Sequence, residues 1–199
     1  MDERCLIAER EGDVMGDMIK RERYETERLC IRHFDLADVD SCYKGWGQDE
    51  QLGKFIVGYP MAKETMESFV MAMAGNENAW VIAEKKSGQC IGYMTVDIPY
   101  PQLAIGEIGY VIGEHFQRKG YAYEAVSELL RIYFKEKSMY MMEAKYNVNN
   151  VSSEKLLKKL GFVTDGILRH RRIDLQTGQR CDLVVCSLCW DEYEGLILL

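Results

Sequence analysis

Residues 105–135 constrain this chain more than any other stretch. A glycine-punctuated apolar run there leads through a basic turn into an amphipathic helix. The run Ile-Gly-Glu-Ile-Gly-Tyr-Val-Ile over 105–112 has the β-branched and aromatic content of a strand, but Gly106 and Gly109 interrupt it and Gly113 follows it. Glycine inside a strand marks a bulge or a close backbone approach. Further on, Ala122, Ala125, Val126, Leu129, Ile132 and Tyr133 recur at helical spacing and form one apolar stripe. Between the two lies Gln117-Arg118-Lys119-Gly120-Tyr121-Ala122. The first amides of a helix have no intrahelical partner, and the helix dipole is positive there. Such a turn is a ready site for a phosphate or pyrophosphate. Its other reading is a solvated basic turn ahead of a surface helix. The G-x-x-x-x-G-K-[ST] pattern of nucleotide hydrolases is absent, which argues against ATP as the ligand.

A second motif lies downstream: Asn150-Val151-Ser152-Ser153-Glu154-Lys155-Leu156-Leu157-Lys158-Lys159-Leu160-Gly161-Phe162. The first motif resembles the Q/R-x-x-G-x-G/A pyrophosphate loop of the GNAT superfamily of N-acetyltransferases. The second is similar to that superfamily's N-x-x-S segment ending in K-L-G-F. The two stand in the family's order, one helix and one strand apart. Within the superfamily the chain resembles the branch containing the ribosomal-protein N-terminal acetyltransferases, from about residue 26 to residue 193.

The resemblance implies acetyl-CoA as acyl donor and a site built as follows. Gln117, Arg118, Lys119, Gly120, Tyr121 and Ala122 would meet the pyrophosphate. Val111 and Ile112 would offer a strand edge to the pantetheine arm, whose amides pair as a peptide's do. That edge arises where a central strand splays from its parallel neighbour. A backbone N–H near residues 109–111 would donate to the thioester oxygen. Asn150 would bond pantetheine amides with both ends of its side chain. Ser153 would stand near the sulfur, to protonate the leaving thiolate or only to bind CoA, with Tyr146 as an alternative acid. Glu107 matches the position of a catalytic glutamate. Residues 46–59 would wall the acceptor side.

The chemistry asks for a neutral amine. At pH 7 an α-amino group of pKa about 7.7–8.0 is roughly a tenth neutral, whereas a lysine ammonium of pKa about 10.4 is neutral to less than roughly one part in a thousand. An N-terminal amine therefore needs modest help, from Glu107 directly or through a water relay. The expected acceptor is a primary amine, a protein N-terminus by resemblance. A small amine (polyamine, aminoglycoside or amino-acid derivative) is the alternative, and a CoA-binding module without turnover is a further one.

Each of these residues also has a plainer reading. Glu107 can be a strand carboxylate facing solvent, and the glycines can sit opposite bulky neighbours. Ser152 is read as the cap of the helix that follows it, and Ser153 as facing CoA. The basic run Arg169-His170-Arg171-Arg172 suits a CoA 3′-phosphate, an acidic partner or, more simply, a solvated strand face. Asp182 can bridge to an arginine across the last hairpin.

Composition narrows the remaining classes. The chain has 199 residues, enough for one domain with a substantial core, and 47% of them are hydrophobic. A net charge of −7 disfavours nucleic acid and suits a cationic acceptor by long-range attraction. The seven cysteines are scattered. Cys186 and Cys189 have C-x-x-C spacing, but in an apolar strand-like run where free cysteine packs as a small hydrophobe, so no metal is expected. No cysteine falls in either motif, so direct transfer is preferred to a covalent cysteine intermediate. His33, His115 and His170 lack motif support. No apolar run is long enough for a membrane span, and the charged start lacks a signal-peptide plan, so a cytoplasmic monomer or homodimer is expected.

The pattern along the chain predicts an α+β fold with one mixed, mostly antiparallel sheet flanked by helices. Residues 1–25 read as a tail or loosely docked helix, and residues 26–199 as the acetyltransferase domain. Strands are expected over 28–34, 79–84, 90–96, 105–112 and 139–146, with a closing hairpin over 162–174 and 179–190 around Gln176-Thr177-Gly178. Helices are expected from an Asp35 cap toward Trp46, over 63–74, after Gly120, and over 152–160 with Gly161 as its stop. Residues 97–103, which include Pro99 and Pro101, read as a loop.

Overall fold

The computed structural model describes residues 22–175 and 177–197. Strands β1 (Arg23–Glu25) and β2 (Leu29–His33) open the sheet and pair antiparallel. Asp35 then caps a helical segment: a 3-10 turn over Leu36–Asp38, α1 (Val39–Cys42) and a π turn over Tyr43–Gly47. Helix α2 (Lys63–Ala74) follows, then the hairpin of β3 (Ala79–Glu84) and β4 (Cys90–Tyr100), and then β5 (Ile105–Ile112). Helix α3 (Tyr121–Arg131) leads to β6 (Met141–Asn147), and α4 (Val151–Lys159) to the hairpin of β7 (Val163–Ile173) and β8 (Arg180–Cys189). Helix α5 (Trp190–Ile197) ends the described chain. Residues 1–21 and Gln176 of the predicted turn lie outside the described residues, and the last residues of the expected tail form β1.

The strands form one sheet in the order β1-β2-β3-β4-β5-β6-β8-β7. Every neighbouring pair is antiparallel except β5 and β6, which α3 connects in the crossover that parallel strands require. Successive strand residues face opposite sides. Ile108 and Ile112 therefore pack with Val126, Leu129 and Tyr133 in the core beneath α3, whereas Val111 joins Phe34, Trp46 and Val70 in a second core beneath α1 and α2. At Gly106 a β-carbon would come within 2.9 Å of Val96 Cγ1, so that glycine marks a close approach inside the core.

Two local expectations need correction. Residues 97–100 are not loop, because β4 runs on to Tyr100. The register shifts between Asp97 and Tyr100, and Pro99 occupies this irregularity, where no regular ladder bond is asked of it. Nor does Ser152 cap α4. Asn150 does, its side-chain oxygen accepting the Ser153 N–H at 3.1 Å, which leaves Ser152 exposed on the first turn.

Candidate active site

The parallel pair is short. Rungs join Ile105 to Met141, Gly106 to Met142, Glu107 to Glu143 and Ile108 to Ala144, and there the pairing stops. From Gly109 onward β5 stays with β4, and from Lys145 onward β6 stays with β8. The strands diverge, and a cleft of about 550 Å³ opens between them, with Gly109, Tyr110 and Val111 on one wall and Lys145, Tyr146 and Asn147 on the other. The edge expected at Val111 and Ile112 is thus unpaired on its β6 side. The Ile112 carbonyl is engaged locally, accepting from Gln117 Nε2 at 2.9 Å.

The turn before α3 has the geometry of an anion cradle. Gly120 adopts φ +82°, a left-handed conformation open to glycine at little cost, and Arg118 adopts φ +59°. Among the described residues, no hydrogen bond occupies the N–H groups of Arg118, Lys119, Gly120, Tyr121 or Ala122. The Tyr121 side chain points inward, donating to Glu84 Oε1 at 2.5 Å, so only its main chain faces outward. Sequence reasoning missed the residue that secures this turn. Arg28 Nη1 donates to the Lys119 carbonyl at 2.8 Å, its Nε lies 2.6 Å from Glu124 Oε2, and its guanidinium lies over the Tyr121 ring.

Asn150 and Ser153 both line the cleft. Beside Ser153 lies the Tyr110 hydroxyl, buried and without a partner in hydrogen-bonding geometry among the described residues. Burial pushes this phenol up to about 12, against which the nearby Ser153 hydroxyl works.

Glu107 stands one rung before the divergence. Its carboxylate is paired with the Lys145 ammonium, Oε2 to Nζ at 2.5 Å. Asp97 and Glu143 lie level with it on the neighbouring strands. Lys145 offsets this carboxylate row, which like-charge neighbours would otherwise destabilise.

Of the expected acceptor wall at residues 46–59, Phe55, Ile56 and Val57 line the cleft. Trp46 is buried behind it against Tyr93, ring centroids 4.9 Å apart. From the opposite side Arg171, Arg172, Ile173 and Leu175 reach the cleft, so that half of the basic run, exposed as a solvated strand face would be, also borders the cleft. Among the described residues Asp182 does not pair with an arginine. Its Oδ1 accepts the His170 N–H at 2.9 Å. Cys90 is buried and is no part of the cleft lining, and Cys186 packs as a buried thiol against the Ala144 carbonyl.

A model of the acetyltransferase (GNAT) domain matches residues 28–163. This chain belongs to the GNAT acetyltransferases. It is 30% identical to an uncharacterized N-acetyltransferase p20 of Bacillus licheniformis, over 85% of this chain and 97% of the relative. In fold it is similar to a ribosomal-protein-S5-alanine acetyltransferase from Vibrio fischeri (TM-score 0.74, 20% identity, 86% of this chain and 98% of the other). It is also similar to a microcin C7 self-immunity acetyltransferase, MccE, solved with acetyl-CoA and AMP (TM-score 0.73, 21% identity, 82% of this chain and 93% of the other). As a GNAT N-acetyltransferase it takes its acetyl group from acetyl-CoA and delivers it to an amine. The residues present fit that donor: free amides at the head of α3 would suit a diphosphate, and an unpaired strand edge and a buried hydroxyl would suit a chain of amides.

The acidic balance of the chain does not extend into the cleft, where the charged lining residues are Lys145, Arg171 and Arg172. Among the described residues no helix is long and apolar enough to cross a membrane.

Proposed function

We propose that this GNAT enzyme acetylates the α-amino group of a protein by direct attack. The observation that carries the reading is the pairing of Lys145, which lines the cleft, with Glu107, which stands one rung before the strands diverge and is not itself in the lining. An amine already rests on the carboxylate nearest the divergence, which supports an ammonium site there. Because Lys145 occupies Glu107, the carboxylate gives an incoming amine limited help. That favours an acceptor already partly neutral at pH 7, as an α-amine is and a lysine is not. The fold likeness to the S5-alanine enzyme supports the same choice.

Acetyl-CoA supplies an activated acyl thioester. The N–H groups of residues 118–122 hold its pyrophosphate, with Arg28 fixing their carbonyl side. The free edge at residues 109–112 and the Asn150 amide align the pantetheine arm. Glu107 accepts the amine's proton, directly or through water, and Ser153, backed by Tyr110, donates one to the departing sulfur. A second reading, a small amine as acceptor, draws support from the AMP in the microcin-immunity neighbour.

Incubation with labelled acetyl-CoA and parallel panels of peptides and small amines tests the reading by mass spectrometry. Label on peptide α-amines is expected. Label confined to small amines would move the assignment to the second reading. Acetyl-CoA binding with no thiol release under any acceptor would leave only a CoA-binding module.

A further inference from the structure

The β7–β8 hairpin presents two arginines to the cleft by means of a local distortion. The register of β7 on β8 shifts between Leu168 and Arg172. Within this bulge His170 takes φ +56°, a left-handed conformation uncommon for a side-chain-bearing residue. Both of its main-chain groups are secured: its N–H donates to Asp182 Oδ1 at 2.9 Å, and its carbonyl accepts from Arg180 Nη1 at 3.2 Å. Consecutive residues of a regular strand face opposite sides, and a bulge re-aims them. Here the consecutive Arg171 and Arg172 both line the cleft.

Neither arginine has a carboxylate partner among the described residues, a state they share with Arg118, Arg169 and Arg180, and of these five only Arg171 and Arg172 line the cleft. Around them lie exposed apolar side chains, Val57, Ile173 and Leu175. Guanidinium is suited to forked recognition of carboxylate and phosphate. The pantetheine arm is uncharged, and the donor's diphosphate has its own cradle before α3.

The geometry points to an anion subsite formed by Arg171 and Arg172 for the acceptor. It takes a carboxylate or phosphate borne a residue or so from the amine, beside an apolar patch. This rests on the acetyl-transfer reading above and deepens it: the acceptor is an amine with a nearby negative charge.

The test pairs peptides that differ only in Glu against Gln at their second and third positions, and pairs a free amino acid with its amide. Rates are measured for the wild type, Arg171→Gln, Arg172→Gln and the double variant, and binding to the CoA-loaded enzyme is followed by calorimetry. The acidic peptide should be preferred about tenfold or more, with the preference in KM and abolished in the double variant. If the amino acid outcompetes its amide while the peptides do not differ, the anion belongs to a small acceptor. Equal rates and affinities within both pairs would overturn the subsite. So would variants whose only defect is a raised KM for acetyl-CoA that vanishes with the dephospho donor, since the arginines would then serve the 3′-phosphate. Tight arginine-dependent binding of the acidic peptide without turnover would overturn the transfer reading and leave the subsite standing. Absence of binding by every member of both pairs would overturn the two together.

Discussion

The Lys145 ammonium lies 2.5 Å from the Glu107 carboxylate, the two residues reaching each other across strands that diverge a rung further on. A lysine in that position both neutralises Glu107 and competes with any acceptor amine for it. Glu107→Gln should lower kcat about ten- to a hundredfold with little change in the KM for acetyl-CoA, at or below the low end of the roughly 10²–10⁴ usual for a general base because Lys145 already occupies the carboxylate. A pH–rate profile unchanged in this variant would remove Glu107 from proton transfer. Lys145→Met should lower the acceptor KM about three- to tenfold by vacating the carboxylate. The double variant should be non-additive, as expected of residues in contact.

The turn before α3 makes a separate prediction. Gly120→Asp adds a negative charge at the proposed diphosphate cradle and a side chain where φ is +82°, with its β-carbon 3.2 Å from Arg28 Nη2. Acetyl-CoA affinity should fall about tenfold or more, since a strained residue and a like charge each cost on the order of 1 kcal/mol. Calorimetric titration reads this directly, and unchanged affinity would remove the cradle from the donor site.

Arg28 acts through the loop rather than on the donor. Arg28→Met keeps much of the packing over Tyr121 but loses the bonds to Lys119 and Glu124. A rise of about tenfold or more in the acetyl-CoA dissociation constant is expected, about the worth of one charge-assisted hydrogen bond, with kcat at saturation little changed. A fall in kcat without loss of affinity would place Arg28 elsewhere in the mechanism.

His33 predicts a pH dependence of stability. It is buried, stacked on Trp80 with ring centroids 4.3 Å apart, and desolvation lowers its pKa against the opposing pull of the Ala79 carbonyl. The unfolded chain therefore binds a proton that the folded chain resists. The stability His33 contributes is full above its unfolded pKa of about 6.5 and is lost as pH falls through its lower folded value. Denaturant midpoints should fall with pH below about 6.5, and more gently in His33→Gln, which carries no such proton. Parallel curves for the two proteins would assign the acid sensitivity to other groups.

Much of the cradle was legible because its causes are local. A left-handed glycine, a basic turn and the amides heading an apolar-striped helix all fall within one short run. The α+β alternation was legible for the same reason, through periodicities of two and 3.6. What escaped depends on contacts distant in sequence. Lys145 reaches Glu107 over 38 positions, and Arg28 reaches Lys119 over 91. Neither pairing leaves a trace in composition or spacing. The Asn150 cap was misread because serine and asparagine are both favoured caps, and only the backbone turn decides which residue stands at the helix boundary. The arginines of β7 are exposed, as read, but that two consecutive ones also border the cleft escaped because the bulge beside them turns on a histidine in a left-handed conformation. No glycine or proline stands there to announce it.

The divergence of β5 from β6 has one further consequence. Four rungs hold two halves of a single sheet together, and beyond them each half shows a bare margin to the other. This is an unfinished seam inside the molecule, and a substrate rich in amides can stitch it. The donor is then also a removable rib of the scaffold, and the enzyme should be stiffest, and hardest to melt, while loaded for reaction.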